Sequence, residues 1–172
     1  MPAVARSLVL LEESKLFDCS KLKHIIGKEY DEDENANNPS PTSKVFSNLR
    51  ILHVHGCHSL ESIFPIAFVQ NLERLEKIAI WYNFGLKYVF GTHNDYKGNN
   101  GNEAKININL HALRRISLVS LSNLIDICPK YCHSRSSNLK EIEYRDCPHM
   151  SIDVMCKTLI SSDMQQSLTT TE

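Results

Sequence analysis

Apolar residues recur along the chain in a fixed order around a residue that we call the anchor. Five stretches fit this order, and each has leucine eight positions before its anchor. The positions five before, three before, three after and six after the anchor are also apolar, except at Ser14 and Asp153. The anchors are Cys19, Cys57, Asn83, Leu121 and Cys147. The pattern L-x-x-L-x-L-x-x-(C/N)-x-x-L-x-x-I therefore indicates an internal repeat.

The repeat resembles a leucine-rich repeat, and each part of it has a physical role. Its x-L-x-L-x section alternates with the period of a β-strand that buries one face. The Cys or Asn at the anchor turns the chain, and its side chain meets backbone groups that a buried bend would leave unpaired. One unit cannot bury its own apolar face, so neighbouring units stack. The sequence predicts an α/β solenoid of about five repeats, with parallel strands on the concave face and an irregular or short helical convex side.

Two inserts alternate with shorter repeats. Successive anchors are 38, 26, 38 and 26 residues apart, and the extra length lies near 27–45 and 91–109. The first insert contains the acidic run 31–34, and the second is rich in Asn and Gly. Both have loop composition, so we expect them to project from the convex or side face. The acidic run is interpreted as a solvated loop, with a regulatory contact to a basic partner surface as the alternative.

The two ends of the predicted solenoid differ. Residues 1–153 are assigned to the repeat domain, and 154–172 to a short cap helix and a disordered tail. Apolar residues recur at helical spacing from about 152 to 161, and the polar segment 162–172 follows. At the other end the first repeat is degraded at Ser14, which predicts an open edge where further repeats or another domain would pack.

Composition narrows the class of protein. The chain has 172 residues, 42% of them apolar, with 19 basic and 20 acidic residues and a net charge of −1. This size favours one domain, and the charge balance excludes a general binder of nucleic acid or acidic membranes. An export signal is not expected, because the apolar stretch 8–11 ends at two glutamates. Six cysteines without a glycosylation acceptor then indicate reduced thiols inside a cell, in the cytoplasm or the nucleus.

Three segments, 18–26, 48–65 and 138–148, resemble the repeats of plant intracellular NB-LRR disease-resistance proteins of the coiled-coil class. The resemblance covers about residues 8–153. It implies a recognition region that senses effectors and holds a nucleotide-binding switch domain off. The implied partner is a pathogen effector, a guarded host protein or the nucleotide-binding domain of the same receptor family.

The sequence contains no match to a P-loop. Gly27-Lys28 is followed by Glu29 rather than Ser or Thr, and no glycine stands five positions earlier. We therefore expect the recognition region without the nucleotide-binding domain, either as a truncated gene product or as a free-standing module. The alternative function is a cytosolic repeat adaptor or substrate-selecting protein without an immune role.

Residues between the buried strand positions would face the concave surface. Trp81 is the only tryptophan, and with Tyr82 it occupies the middle repeat. Exposed aromatics among charged neighbours are typical of interface hot spots, although Trp81 could instead cover a groove or an adjoining loop. The predicted protein-binding residues are Phe17, His53, His55, Lys77, Trp81, Tyr82, Arg115, Glu143 and Arg145. Further concave positions are Glu13, Lys15, Asp18, Ile51, Ser117, Val119, Glu141 and Asp146.

Metal binding is considered at His53 and His55. They stand two apart on a predicted strand and share a face, which could supply half of a zinc site. Zinc needs three or four convergent ligands, and the neighbouring columns offer none with suitable spacing. We therefore predict two polar contact residues, no metal and no cofactor.

Two cysteine motifs are given structural roles. Cys128 and Cys132 form a CxxxC pair without a second pair, and Cys128 lies in the same repeat column as Phe64 and Phe90, which predicts a small core residue. Cys57-His58 could suggest a nucleophile and a base, but Cys57 is an anchor. No residue is predicted to be catalytic, and an enzyme is not expected.

Overall fold

The computed structural model describes residues 10–26, 45–91, 106–129 and 132–150, and short parallel strands dominate them. In chain order the elements are β1 (Glu13–Phe17), β2 (Ile51–His55), β3 (Ser62–Phe64), α1 (Ile66–Val69), β4 (Lys77–Trp81), β5 (Tyr88–Phe90), β6 (Ile106–Asn109), β7 (Arg115–Val119), β8 (Cys132–Arg135) and β9 (Glu141–Arg145).

The strand that precedes each anchor joins one five-stranded sheet in the order β1-β2-β4-β7-β9. All neighbours are parallel and in repeat register, so that Leu52 pairs with Ile78 and Ile78 pairs with Ile116. Residues at equivalent repeat positions therefore lie side by side across the sheet. This confirms the strand positions predicted from the apolar columns and is a leucine-rich-repeat type of fold.

The hydrophobic core lies behind this sheet. In the three central strands the inward residues are at most 2% exposed. The inward residues of these strands are Leu52, Val54, Ile78, Ile80, Ile116 and Leu118. Leucines eight before and three after the anchors complete the layer, as Leu49 and Leu60 do in the second repeat, each with no exposed surface. Leu16 of β1 and Tyr144 of β9 are only partly buried, because each lies on an edge strand.

The far side of the core differs from the expected irregular or short helical surface. The described residues contain a single helix, α1, of four residues. Short strands replace the rest: β3 pairs with β5, β6 pairs with β8, and an isolated bridge joins Tyr88 to Asp126. Ile63 and Phe64 are both buried, so this strand has no alternating pattern by which it could be recognised.

The predicted inserts are covered only in part. The second was expected to be a loop, but its last four residues form β6, which corrects that expectation. Ile108 of β6 is buried in the common core. Residues 27–44 with the acidic run, residues 92–105, the cap helix at 152–161 and the tail at 162–172 lie outside the described residues.

Every strand of the main sheet ends in the same turn. The residue just before each anchor has a positive φ between 52° and 65°. These residues are Asp18, Gly56, Tyr82, Ser120 and Asp146. The first four donate a backbone N–H to the last residue of the neighbouring strand, as Tyr82 does to the Val119 oxygen at 3.0 Å. The left-handed residue thus turns the chain towards the core while keeping one more bond to the sheet.

The side chains of the Cys and Asn anchors bond the backbone of the turn, as the repeat pattern predicts. Asn83 Nδ2 donates to the Val54 and Trp81 oxygens at 3.1 and 2.8 Å, and Asn83 Oδ1 accepts the Cys57 N–H at 2.6 Å. Cys147 Sγ lies 3.7 Å from the equivalent oxygen of Leu118. Burial raises the pKa of the Cys57 and Cys147 thiols, which suits a neutral donor role.

Candidate binding surface

The side chains that point away from the core form a surface that we call the open face. Parallel in-register pairing arranges these residues in three rows. The rows are Glu13, Ile51, Lys77, Arg115 and Glu141; Lys15, His53, Ala79, Ser117 and Glu143; and Phe17, His55, Trp81, Val119 and Arg145. The open face brings together all the predicted protein-binding residues except Tyr82, which lies in the turn at its rim.

Strands β1, β2 and β4 carry the aromatic half of the open face, defined as Phe17, His53, His55 and Trp81 on the strands together with Tyr82 at the rim. The rings of Phe17 and His55 are 6.0 Å apart, those of His55 and Tyr82 are 5.3 Å apart, and those of His53 and Trp81 are 6.2 Å apart. Phe17 is 53% exposed and Tyr82 45% exposed. Aromatic side chains bury a large area at little conformational cost when they are covered by a partner.

A chain of hydrogen bonds fixes the orientation of Trp81. Its indole Nε1 donates to Ser117 Oγ at 2.7 Å, and Ser117 Oγ donates to Glu143 Oε2 at 2.5 Å. Glu143 in turn lies 4.0 Å from the Arg145 guanidinium. The indole Nε1 is therefore directed along the row towards β7 by its bond to Ser117.

The last two strands carry the charged half of the open face, defined as Arg115, Glu141, Glu143 and Arg145. Arg115 Nε lies 2.9 Å from Glu141 Oε2, across the gap between β7 and β9. All four side chains are more than half exposed. Ion pairs this exposed contribute only about 0–1 kcal/mol to stability and are screened by salt.

The electrostatic setting of His53 favours its neutral form. Desolvation lowers the pKa of His53, and the positive charges of Lys77 and Lys15 lower it further against the opposing effect of Glu13. Among the described residues no group of three His, Cys, Asp or Glu side chains converges in a way that could hold a metal ion. The imidazoles of His53 and His55 contact aromatic rings instead.

Several predicted concave positions require correction. Ser117 and Val119 lie in the open-face rows but are buried, at 8% and 4% exposure, because the face is covered there by its own side chains. Asp18, Tyr82 and Asp146 are not strand residues, since their positive φ angles place them in the turns. Their side chains are exposed, and they lie at the edge of the open face rather than within its three rows.

An additional aromatic contact lies just beyond the rim and was missed from the sequence. His58 stacks on Phe84 with ring centroids 4.7 Å apart and planes 5° apart, and Phe84 is 47% exposed. The two occupy the same repeat column, one after their anchors, so the repeat alignment could have paired them.

The opposite end of the strands carries a ladder of charges. Arg50 bonds Glu76 at 2.9 Å and lies 3.9 Å from Glu12. The bond to Arg50 lowers the pKa of Glu76. A cavity of about 320 Å³ opens beside these residues, and Arg74 and Ala112 also line it. Arg50 joins glutamates of the neighbouring repeats, and Arg74 donates to Asn48 Oδ1 at 3.1 Å, so polar contacts between repeats hold this end.

Comparison with known proteins assigns the family. The model for plant disease resistance protein RPS2-like leucine-rich repeats matches residues 21–170. No curated protein and no solved structure matches the chain. Within the described ranges, no helix is long and apolar enough to cross a membrane. Leucine-rich repeats are modules for protein interaction, and the matched region includes four of the five strands of the open face. The chain belongs to the RPS2-like leucine-rich repeat family of plant disease resistance proteins.

Proposed function

We propose that the chain is a non-catalytic protein-binding module that serves as the recognition and autoinhibition region of a plant innate-immune receptor. In this role it works as a curved repeat solenoid of about five units, in the cytoplasm or the nucleus. The repeats themselves do not form the nucleotide-binding switch, which is a separate domain in such receptors. Family membership supports the receptor context, and the open face supports the mode of binding.

The observation that carries the proposal is the preset aromatic half of the open face. Trp81 is fixed by Ser117 and Glu143, so a partner that covers it does not have to order the indole. Aromatic hot-spot residues of this kind, which lie at the centre of an interface and are surrounded by polar groups, contribute most of the binding free energy in many complexes. The exposed ion pairs of the charged half would then select the partner and its orientation.

The expected partner is a protein surface. Candidates are a pathogen effector, a guarded host protein and the nucleotide-binding domain of a receptor in the same family. Nucleic acid is a poor candidate, because the net charge of −1 offers no excess of cations for phosphates. A membrane surface is a poor candidate for the same reason.

The test measures binding of the purified chain to the nucleotide-binding domain of an RPS2-like receptor by biolayer interferometry. The variant Trp81→Ala/Tyr82→Ala/Arg115→Ala removes two side chains of the open face, Trp81 and Arg115, and the neighbouring Tyr82 side chain at its rim. We expect it to weaken binding at least about thirtyfold, because hot-spot truncations cost about 2 kcal/mol or more. Circular dichroism and urea unfolding of the same samples establish that the fold is retained.

A matched control removes an exposed ion pair away from the open face. Glu61 and Lys87 pair at 3.3 Å between the return segments of two repeats, so Glu61→Ala/Lys87→Ala should leave binding unchanged. Equal binding by the wild type and the triple variant would contradict the proposed surface. Binding to a ubiquitin-ligase subunit in place of the receptor domain would favour an adaptor without an immune role.

A further inference from the structure

One corner of the open face combines three aromatic rings with an exposed carboxylate. It lies at the rim of the first three repeats and is formed by Phe17, Asp18, His55 and Tyr82. The His55 ring lies between the other two, 6.0 Å from Phe17 and 5.3 Å from Tyr82. The Asp18 side chain is 81% exposed and its Oδ1 lies 3.5 Å from His55 Nδ1. We call this set the acidic aromatic corner.

The position of Asp18 depends on a glycine in the next repeat. Gly56 has the left-handed φ shared by all five turns, yet Asp18, Tyr82, Ser120 and Asp146 adopt that φ with side chains. The left-handed φ alone therefore does not account for the glycine at position 56. A Cβ at Gly56 would collide with Asp18 Oδ1. The missing side chain lets the carboxylate lie against the backbone of β2's turn, beside the His55 ring.

The Asp18 carboxylate has acceptor capacity that no lysine or arginine of the described residues uses. His55 Nδ1 is shielded from solvent and forms no hydrogen bond, although Asp18 Oδ1 is close. In the described part of the chain, Asp18 pairs with no lysine or arginine. The lysine on the same strand, Lys15, is engaged by Glu13 at 3.0 Å. The Asp18 carboxylate thus lies beside the aromatic rings without a paired lysine or arginine among the described residues.

From this geometry we infer that the acidic aromatic corner binds an arginine side chain presented by the partner protein. The guanidinium would donate to the Asp18 carboxylate and stack on the rings of Phe17, His55 and Tyr82. The inference rests on the proposed function, since it names the partner group that this part of the open face takes. It commits to a polypeptide partner with an accessible arginine.

Chemistry favours arginine over the other candidates. A cation gains from the negative faces of aromatic rings within about 6 Å, whereas an acidic group would be repelled by both rings and carboxylate. Arginine is planar and weakly hydrated, so it stacks on rings while its N–H groups bond a carboxylate. Lysine offers charge without the stacking, and a neutral amide offers hydrogen bonds without the charge.

The experiment titrates short acetylated, amidated peptides into the ¹⁵N-labelled full chain and follows amide shifts by NMR. The four probes are Gly-Ala peptides with one central arginine, lysine, citrulline or glutamate. We expect the arginine peptide to shift the amides of Asp18, Gly56 and Tyr82 in a saturable way. Citrulline has the same shape without the charge, and we expect it to bind at least about tenfold more weakly.

Asp146 supplies the matched control. It occupies the same left-handed turn position in the fifth repeat, where its carboxylate accepts from Ser120 Oγ at 3.4 Å and no ring contact surrounds it in the described chain. Asp18→Asn should weaken arginine-peptide binding about tenfold, and Asp146→Asn should leave it unchanged. Phe17→Leu provides a second variant that keeps the carboxylate and removes one ring.

The outcomes separate this inference from the proposed function. Equal binding of arginine and citrulline peptides, no saturable shift, or equal losses in Asp18→Asn and Asp146→Asn would overturn the arginine site. The open face would still stand as a binding surface if the receptor domain bound it and the triple variant did not. An arginine peptide that binds the corner while the receptor domain ignores the open face would contradict the proposed function alone.

Discussion

The aromatic half and the charged half of the open face occupy equivalent strand positions, yet they are built from opposite kinds of side chain. In the aromatic half the rings of neighbouring repeats touch, as those of His55 and Tyr82 do. In the charged half neighbouring repeats are joined by exposed ion pairs, as Arg115 is to Glu141. The repeat backbone fixes where side chains stand and leaves their chemistry free, so one sheet can carry two different surfaces.

The two halves should also contribute differently to binding. Rings lose little hydration free energy when a partner covers them, whereas charged groups must give up strong hydration that an ion pair repays only in part. The aromatic half is therefore expected to provide affinity and the charged half to provide orientation. Trp81 and Glu143 connect the two through Ser117, so the halves are coupled rather than independent.

The largest effect is expected from the anchor beneath the aromatic half. Asn83→Leu introduces the residue that the same repeat position already holds at Leu121. It removes three hydrogen bonds and leaves the Cys57 N–H without its acceptor. We expect a loss of about 2–4 kcal/mol in the free energy of unfolding, measured in urea. Amide exchange should accelerate more at Trp81 than at Arg145. A loss below about 0.5 kcal/mol would contradict this role of the anchor.

The next effect compares the two halves directly. Trp81→Ala should weaken binding to the receptor domain by about 2 kcal/mol, and Arg115→Ala by less than about 0.7 kcal/mol, in the same interferometry assay. Raising the salt concentration should slow association of the wild type but hardly that of Arg115→Ala. If Arg115→Ala has the larger effect on the dissociation rate, the assignment of affinity to the aromatic half is wrong.

A smaller effect is expected at the left-handed turns. Gly56→Ala should lower stability by about 1–2 kcal/mol, because a Cβ there meets Asp18 Oδ1 in a backbone conformation that already disfavours alanine. Ser120→Ala is the control, since that turn already holds a side chain at a φ of 53°. The double variant Asp18→Ala/Gly56→Ala should recover part of the loss. Thermal unfolding of these variants measures the loss. If the double variant recovers no stability, contact with Asp18 is not the source of the strain.

The apolar columns were predictable because burial imposes them on every repeat. Leu52, Ile78 and Ile116 must each cover the same core, so the period appears in the sequence and the strands follow from it. The return strands were not predictable in this way. β3 and β5 are buried on both sides and show no alternation, and β6 follows a stretch of loop-forming composition.

The chemistry of the open face was only partly visible in the sequence. Parity along the strands placed His53 and Trp81 on the correct face, but it could not show that Ser117 would be buried under a hydrogen bond from the indole. That contact joins residues 36 positions apart and depends on rotamers. The left-handed turn was equally hidden, because Gly56 is the only glycine among the five turn residues, and Tyr82 adopts a positive φ under the constraint of the sheet.

The smallest effect concerns pH and the row in which His53 stands. Desolvation and the charges of Lys77 and Lys15 lower the pKa of His53 in the folded chain, so the unfolded chain binds the proton at a higher pH. The stability from this difference is fully present above the ordinary imidazole pKa of about 6.5 and is lost as the pH falls through the lower, folded value. Urea unfolding at pH 7.5 and 5.5 should show a larger drop for the wild type than for His53→Gln. Parallel losses in the wild type and His53→Gln would mean that neither desolvation nor the lysines of the open face lower the pKa of this imidazole in the folded chain.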